Sequence, residues 1–257
     1  MQKDTYPILE FDPTKRAVIE PNEHIEPIEM ADSCVVCFFQ EVINKLKNED
    51  RLEKIADIET EMGLLPIYNL SVNDKDVTVF HPGIGAPLAA GMLEEVIALG
   101  GRNFIACGGA GVLKKEIDVE KLIIPNSAVR DEGVSYHYIK PAREITPTEY
   151  ALKILKQTLD ENNVEYKVGK TWTTSSFYRE TPPKVNLRRE EGCLTVEMES
   201  AAFFAVANFR GVEFAQILYS GDDVSGEFWD QREWAKRNTI REKIFWLAVK
   251  AALNIAK

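Results

Sequence analysis

The chain has 257 residues, of which 45% are hydrophobic, and this is long enough for one large α/β domain with a sizeable core. Its 31 basic and 41 acidic residues give a formal net charge of -10, and no basic run could follow a phosphate backbone, which argues against nucleic-acid binding. No apolar stretch approaches the roughly 20 residues of a membrane helix and the N-terminus lacks a signal-peptide core, so we expect a cytoplasmic protein that does not enter membranes.

The predicted elements alternate between strands and helices. Residues 1–30 are rich in Pro and Glu without periodicity, and they are predicted to form an extended arm ahead of a single domain over residues 31–257. Strands are predicted at residues 34–39, 64–70, 76–82, 103–111, 121–129, 164–172 and 213–220. Helices are predicted after the first strand through residue 46, and at residues 86–101, 146–163 and about 231–256. This order favours an α/β sandwich with a mostly parallel central sheet.

The four cysteines are too few for a disulfide framework in a chain of this length. Cys34 and Cys37 match C-x-x-C, but they lie in an apolar run and no second pair could complete a zinc site. Core packing is therefore predicted for both, and no motif implies a metal or an organic cofactor.

Four segments present unusual residues at predicted strand ends, where ligands bind in open α/β sheets. They are HPGIGAP (81–87), CGGAG (107–111), VEME (196–199) and SGDDVSG (220–226). Their glycines could offer N–H groups to an anion, although tight turns explain the same residues.

Glu197 and Glu199 lie where an apolar strand turns into an alanine-rich helix. A buried carboxylate needs a partner, and the adjacent hydroxyls of a ribose would supply one. The alternative is that Glu199 stabilises the helix N-terminus. Asp222 and Asp223 follow an apolar strand, where a turn at Ser220 and Gly221 could expose a general acid; the alternative is a cap on the next turn.

With VEMESAAFFAVA, GGAGVL, HPGIGAPLAA and SGDD in the sequence, the chain resembles the nucleoside phosphorylase superfamily, which contains purine nucleoside phosphorylase and uridine phosphorylase. The resemblance covers roughly residues 34–256. It implies a three-layer α/β/α sandwich with a mostly parallel central mixed sheet, and transfer of a pentosyl group from a purine or uracil to phosphate. It also implies a homo-oligomer, either a hexamer or a dimer, with nucleoside and phosphate as its substrates.

The resemblance assigns roles to particular residues. Glu199 would hold the ribose hydroxyls with Glu197 close by, Met198 and Ile84 would contact the sugar, and Phe177 would stack on the base. Asp222 or Asp223 would protonate a purine leaving group. Such an acid needs a raised pKa, because breaking the N-glycosidic bond builds negative charge on the base. The glycines that would approach phosphate are Gly83, Gly108 and Gly109.

The chain departs from the family at the phosphate site. The stretch CFFQEVINKL has no arginine where the family usually has one, and Phe104, Ile105 and Ala106 precede the glycine turn where a second is usual. Arg130, Arg179 or Arg232 could substitute. Two alternatives to a phosphorylase therefore remain: a nucleosidase that uses water, and a nucleoside-binding protein without catalysis.

Overall fold

A mixed β-sheet forms the centre of the fold in the computed structural model, which describes residues 3–256. Its strands are β1 (Ser33–Cys37), β2 (Glu53–Thr60), β3 (Gly63–Val72), β4 (Lys75–Phe80), β5 (Asn103–Val112), β6 (Leu122–Asp131), β7 (Glu144–Ile145), β8 (Tyr166–Thr174), β9 (Cys193–Glu197) and β10 (Glu213–Asp223). The helices are α1 (Pro21–His24), α2 (Gln40–Asn48), α3 (Ala86–Leu99), α4 (Ser135–Tyr138), α5 (Glu149–Glu161), α6 (Pro182–Glu190), α7 (Ser200–Arg210) and α8 (Asn238–Ile255).

The strand order is β10-β6-β8-β9-β5-β1-β4-β3-β2, and β7 pairs with β6. Strands β4, β1, β5 and β10 run parallel, as do β6, β8 and β9, whereas β2 and β3 add an antiparallel edge. Strand β5 also pairs with β9, and β10 pairs with both β5 and β6. These pairings close β5, β10, β6, β8 and β9 into a ring.

Helices cover the sheet on two sides, which confirms the predicted α/β sandwich. One hydrophobic core lies under α2, α5 and α8, and a second lies under α3 and α7. Helix α3 follows its sequence prediction closely, because Pro87 stands in its first turn and Gly100 ends it at a φ of 141°. All four cysteines are free and buried, which confirms the core packing predicted for Cys34 and Cys37.

Four elements differ from their sequence predictions. Strand β10 does not end in a turn at Ser220 but continues to Asp223, which pairs with Val112 and bridges to Asp230. Helix α8 begins at Asn238 rather than near residue 231, since residues 224–237 form an irregular segment with one short 3-10 turn. Strand β2 and helix α6 were not predicted, because both are largely polar and exposed and have too few buried apolar positions to give a clear periodicity.

The N-terminal segment, residues 3–30, packs on the same chain. It contains a 3-10 turn at Pro7–Leu9 and the single turn α1. Buried Glu20 pairs with Arg210 of α7 at 3.0 Å, and Arg210 also pairs with Glu94 of α3 at 2.7 Å. The Ile28 N–H donates to the Leu99 carbonyl. These contacts fasten the segment to helices α3 and α7. No helix within residues 3–256 is long and apolar enough to cross a membrane.

Candidate functional site

A cavity of about 790 Å³ opens beyond the ends of β5, β9 and β10, where the four segments singled out from the sequence meet. Loops after β1, β4 and β8 and the irregular segment after β10 complete its walls. The residues that line the cavity include Phe38, Phe39, Ile84, Gly108, Gly109, Phe177, Glu180, Glu197, Met198, Glu199, Tyr219, Asp222, Glu227, Trp229, Trp234 and Arg241.

Glu199 is buried at the junction of β9 and α7, with 6% of its surface exposed. Its Oε1 accepts a hydrogen bond of 2.6 Å from the Gly85 N–H, at the start of α3. Gly85 adopts a φ of 87°, a conformation that favours glycine. Within the described residues, Oε2 of Glu199 makes no hydrogen bond. One carboxylate oxygen is therefore fixed and the other is available to a ligand.

Glu197 has a different environment. Its Oε2 accepts from the backbone N–H groups of Glu199 and Ser200 at 2.7 and 2.6 Å, and its Oε1 accepts from the Thr173 hydroxyl at 2.6 Å. Glu197 therefore holds the N-terminus of α7, which the sequence alternative had assigned to Glu199. Glu199 is therefore the glutamate that faces the cavity.

Asp222 and Asp223 point to different surroundings. Asp222 lines the cavity, and its Oδ2 accepts from the Trp229 indole N–H at 2.7 Å. Asp223 is buried outside the lining, where it pairs with Arg232 and accepts from the Ser225 N–H at 2.7 Å. The structure thus brings Asp222, and not Asp223, to the cavity.

The remaining predicted sugar and base residues lie on the cavity wall. Met198 is half-buried between the two glutamates, Ile84 is 62% exposed, and Phe177 is 49% exposed. Phe177 packs against Tyr178, with ring centroids 4.2 Å apart. Met198 and Ile84 are the chain neighbours of Glu199 and of Gly85, which are hydrogen-bonded to each other, and Phe177 lines the same cavity from the segment after β8.

Of the three predicted phosphate glycines, Gly108 and Gly109 line the cavity and Gly83 does not. Gly83 adopts a φ of 79°, and its N–H donates to Nδ1 of His81 at 3.0 Å. An added Cβ would lie 2.1 Å from Cδ2 of Leu88. Gly83 is thus a residue of the turn that leads into α3.

We therefore expect Gly83→Ala to lower the free energy of unfolding by about 1 to 2 kcal/mol, because alanine is strained at positive φ and Leu88 must move. Urea denaturation of both proteins measures this change. Gly91→Ala is the matched control, since its Cβ would meet nothing within 4 Å and its φ is not positive. Equal stability of wild type and Gly83→Ala would contradict the prediction.

Arg241 supplies the one cationic side chain among the described residues that line the cavity. Its guanidinium donates to Glu41 at 2.8 Å and to the Tyr219 hydroxyl and the Trp234 carbonyl at 3.0 Å. Its charge is thus already paired with a carboxylate. The substitutes considered from the sequence lie elsewhere: Arg130 is buried against α4, Arg232 pairs with Asp223, and Arg179 is not part of the lining.

Glu180 is a cavity residue that the sequence analysis missed. It directly follows the 3-10 turn Phe177–Arg179, so its position next to Phe177 was the available signal. Burial, followed by the negative charge of Asp222, raises its pKa to about 7. Burial also raises the pKa of Asp222 and of Glu197.

For Glu199, burial and then the charge of Glu197 raise the pKa to about 8. The folded protein thus keeps this proton where the unfolded chain has lost it. We expect its contribution to stability to fall as pH rises from about 4.5 to about 8, by at least about 1 kcal/mol. Urea denaturation across this range should give a flatter pH dependence for Glu199→Gln.

The difference between the pH dependence of wild type and that of Glu199→Gln reports the titration of Glu199. His81, whose pKa burial lowers, changes stability in the opposite direction but does so in both proteins. Identical pH dependence for wild type and Glu199→Gln would contradict the raised pKa. No group of His, Cys, Asp and Glu within the described ranges could hold a metal ion.

Known proteins resemble this chain over most of its length. A family model described as the phosphorylase superfamily matches residues 32–251. Guanosine phosphorylase of Halorubrum lacusprofundi is 30% identical over 183 residues, which are 68% of this chain and 76% of that protein. A DeoD-type purine nucleoside phosphorylase of Caldanaerobacter subterraneus is 33% identical over 187 residues, covering 71% and 77%.

Among solved structures, uridine phosphorylase of Vibrio fischeri superposes with a TM-score of 0.73 at 26% identity. The superposition covers 90% of this chain and 94% of that one. The family match runs from just before β1 into α8, so it includes every segment that carries the cavity.

Proposed function

The chain belongs to the phosphorylase superfamily and is an enzyme of the pentosyltransferase class, and from this premise we propose that it cleaves the N-glycosidic bond of a purine nucleoside. Phosphate is the proposed acceptor, and the products are free base and ribose 1-phosphate. Uridine is the second substrate to consider. Relatives at 30% identity or more are named for guanosine and purine nucleosides, which supports the purine preference.

The environment of Glu199 carries the proposal. Its fixed Oε1 and available Oε2 form an acceptor for the hydroxyls of a ribose, buried away from competing water. Positive charge develops on the sugar as the bond breaks, and a nearby carboxylate stabilises it. Met198 and Ile84 are proposed to contact the sugar from the same end of the cavity, with Glu197 positioning the junction that presents Glu199.

The leaving base is proposed to stack on Phe177, with Asp222 at its edge as proton donor. Burial raises the pKa of Asp222, which is the direction that a proton donor requires. Asp223 is proposed to hold the strand end instead, through Arg232. Phosphate would approach Gly108 and Gly109, which line the same cavity.

Hydrolysis is the second candidate, and the pairing of Arg241 favours it. A phosphate dianion needs cations, but this guanidinium is bound to Glu41, Tyr219 and Trp234. Hydrolysis needs no such cation, because the attacking water molecule carries no charge. A third possibility, binding without catalysis, predicts nucleoside affinity with no release of base.

Incubation with inosine, adenosine, guanosine and uridine, each with and without phosphate, distinguishes these functions. Free base and ribose 1-phosphate are measured together with nucleoside binding by calorimetry. Base release that requires phosphate supports the phosphorylase, and release without phosphate supports the nucleosidase. Binding without release would leave only the third function. We also propose a homo-oligomer, a hexamer or a dimer, which light scattering would measure.

A further inference from the structure

Two carboxyl groups line the cavity where the base is proposed to bind. Asp222 arrives from β10, and Glu180 arrives from the segment between β8 and α6. Phe177 begins the 3-10 turn Phe177–Arg179, and Glu180 directly follows that turn. The ring proposed to stack on the base and this second carboxyl are therefore placed by one local structure.

The two carboxyl groups differ in their partners. The indole N–H of Trp229 donates to Oδ2 of Asp222 at 2.7 Å, and the carboxylate packs against Gly111, where an added Cβ would lie 3.4 Å from Oδ2. Within residues 3–256, the carboxyl group of Glu180 makes no hydrogen bond and no ion pair. A donated hydrogen bond stabilises an ionised carboxylate, so the ionised member of the pair is Asp222.

The other charged groups nearby neutralise the pair only in part, because burial still raises the pKa of Asp222 although Arg232 lowers it. Glu227 lines the same cavity, and Glu197 and Glu199 lie at the sugar end. Arg232 is bound to Asp223 behind the wall, and Arg241 is bound to Glu41. With no unpaired cation among the described lining residues, two negative charges here would repel each other in a partly buried site.

We propose that Glu180 and Asp222 act as a pair that shares one proton, with Glu180 as the member that carries it and donates it to the leaving base. This inference rests on the proposed function and reassigns the proton donor from Asp222 to Glu180, with Asp222 as its ionised partner. The raised pKa of Glu180, to about 7, agrees with the geometry, and an acid with a pKa near the working pH is the most effective donor.

In a purine nucleoside, cleavage of the glycosidic bond is accompanied by proton transfer from Glu180 to the base. As the bond between C1′ and N9 breaks, its electron pair stays on the base, and N7 takes the proton from the Glu180 carboxyl group. An oxygen of phosphate bonds to C1′. The proton released when the phosphate ester ionises, or one from solvent, then restores the carboxylic acid. If the acceptor is water, its own proton does the same.

The first test titrates the carboxyl group without using activity. Carboxyl carbons of glutamate are labelled with ¹³C, and the Glu180 signal is identified by its absence from Glu180→Gln. We expect a titration midpoint near pH 7 in wild type and a lower midpoint in Asp222→Asn, because that variant loses the like charge. A midpoint below about 5.5 in wild type, or one unchanged by Asp222→Asn, would overturn the shared proton.

The second test compares two substrates. Inosine needs a proton on its leaving base, whereas N7-methylated inosine already carries a positive charge and needs none. We expect Glu180→Gln to lower kcat/KM about 10- to 100-fold for inosine and less than about threefold for the methylated nucleoside, since Asp222 remains. Glu190→Gln, an exposed glutamate at the end of α6, is the matched control and should leave both unchanged.

Equal losses on both substrates would assign Glu180 a structural role and overturn the proton donation. If wild type cleaves neither nucleoside, the proposed function fails and the acid role fails with it. The ¹³C titration still decides in that case whether the pair shares a proton. The two failures are therefore distinguishable.

Discussion

Replacing Glu199 by glutamine is expected to lower kcat/KM for a purine nucleoside by a factor of about 10² to 10³. The glutamine cannot satisfy both of its surroundings. If its oxygen accepts from the Gly85 N–H, as Oε1 of Glu199 does, its NH₂ group replaces the oxygen proposed to accept from ribose hydroxyls. The variant also cannot ionise, so it lacks the negative charge that Glu199 carries above its pKa of about 8 and that would stabilise the positive charge developing on the sugar.

Steady-state kinetics and calorimetric binding of the same nucleoside check this result. A loss of nucleoside affinity should accompany the loss of turnover, because the hydroxyl contacts exist before the bond breaks. Glu161→Gln, an exposed glutamate at the end of α5, is the control and should behave as wild type. Unchanged affinity and turnover in Glu199→Gln would show that ribose is held elsewhere.

The second large effect concerns stability rather than turnover. We expect Glu197→Ala to lower the free energy of unfolding by about 3 to 5 kcal/mol. The variant leaves the buried N–H groups of Glu199 and Ser200 without their acceptor. It also removes the partner of the Thr173 hydroxyl, which in turn accepts from the Ala201 N–H at 3.0 Å. The first turn of α7 depends on this set of bonds.

Urea denaturation measures this loss, and Thr173→Val provides a graded comparison. Valine removes one hydroxyl but keeps Glu197 on the helix N-terminus, so a smaller loss of about 1 to 2 kcal/mol is expected. Glu197→Gln should lie between the two, because one amide oxygen still accepts. A loss of less than about 1 kcal/mol in Glu197→Ala would mean that water replaces the carboxylate at no cost.

The sequence predicts the sheet and most of the helices because their apolar periodicity is strong. Helix α3 has both its apolar spacing and its boundary residues, and it appears where expected. The N-terminus of helix α5 shows where local sequence is not enough for prediction. Thr148 is the N-cap residue, but its hydroxyl donates to Glu213 at 2.6 Å, and Glu213 also accepts from the Ala151 N–H. The cap comes from a strand 62 residues away, which local sequence cannot reveal.

The same reason limits prediction of the site. The sequence identified Glu197 and Glu199 as a pair. Which of the two holds the N-terminus of α7 depends on Thr173 of another strand. Likewise, Asp222 and Asp223 are equivalent in sequence until Trp229 and Arg232 select different partners for them. Glu180 became visible only when β10 brought Asp222 to the same cavity. Roles that arise from long-range contacts need the fold.

The ring of five strands that carries the cavity has a consequence for the order in which the protein can be made. Strand β10 begins about 100 residues after β5 ends, yet it pairs with β5 along most of its length. At a synthesis rate of roughly 5–20 residues per second, this edge of β5 waits about 5–20 s for its partner. During that interval the nascent chain exposes the edge of β5 that β10 later covers, which makes the chain a substrate for chaperones and the edge a place where aggregation can begin.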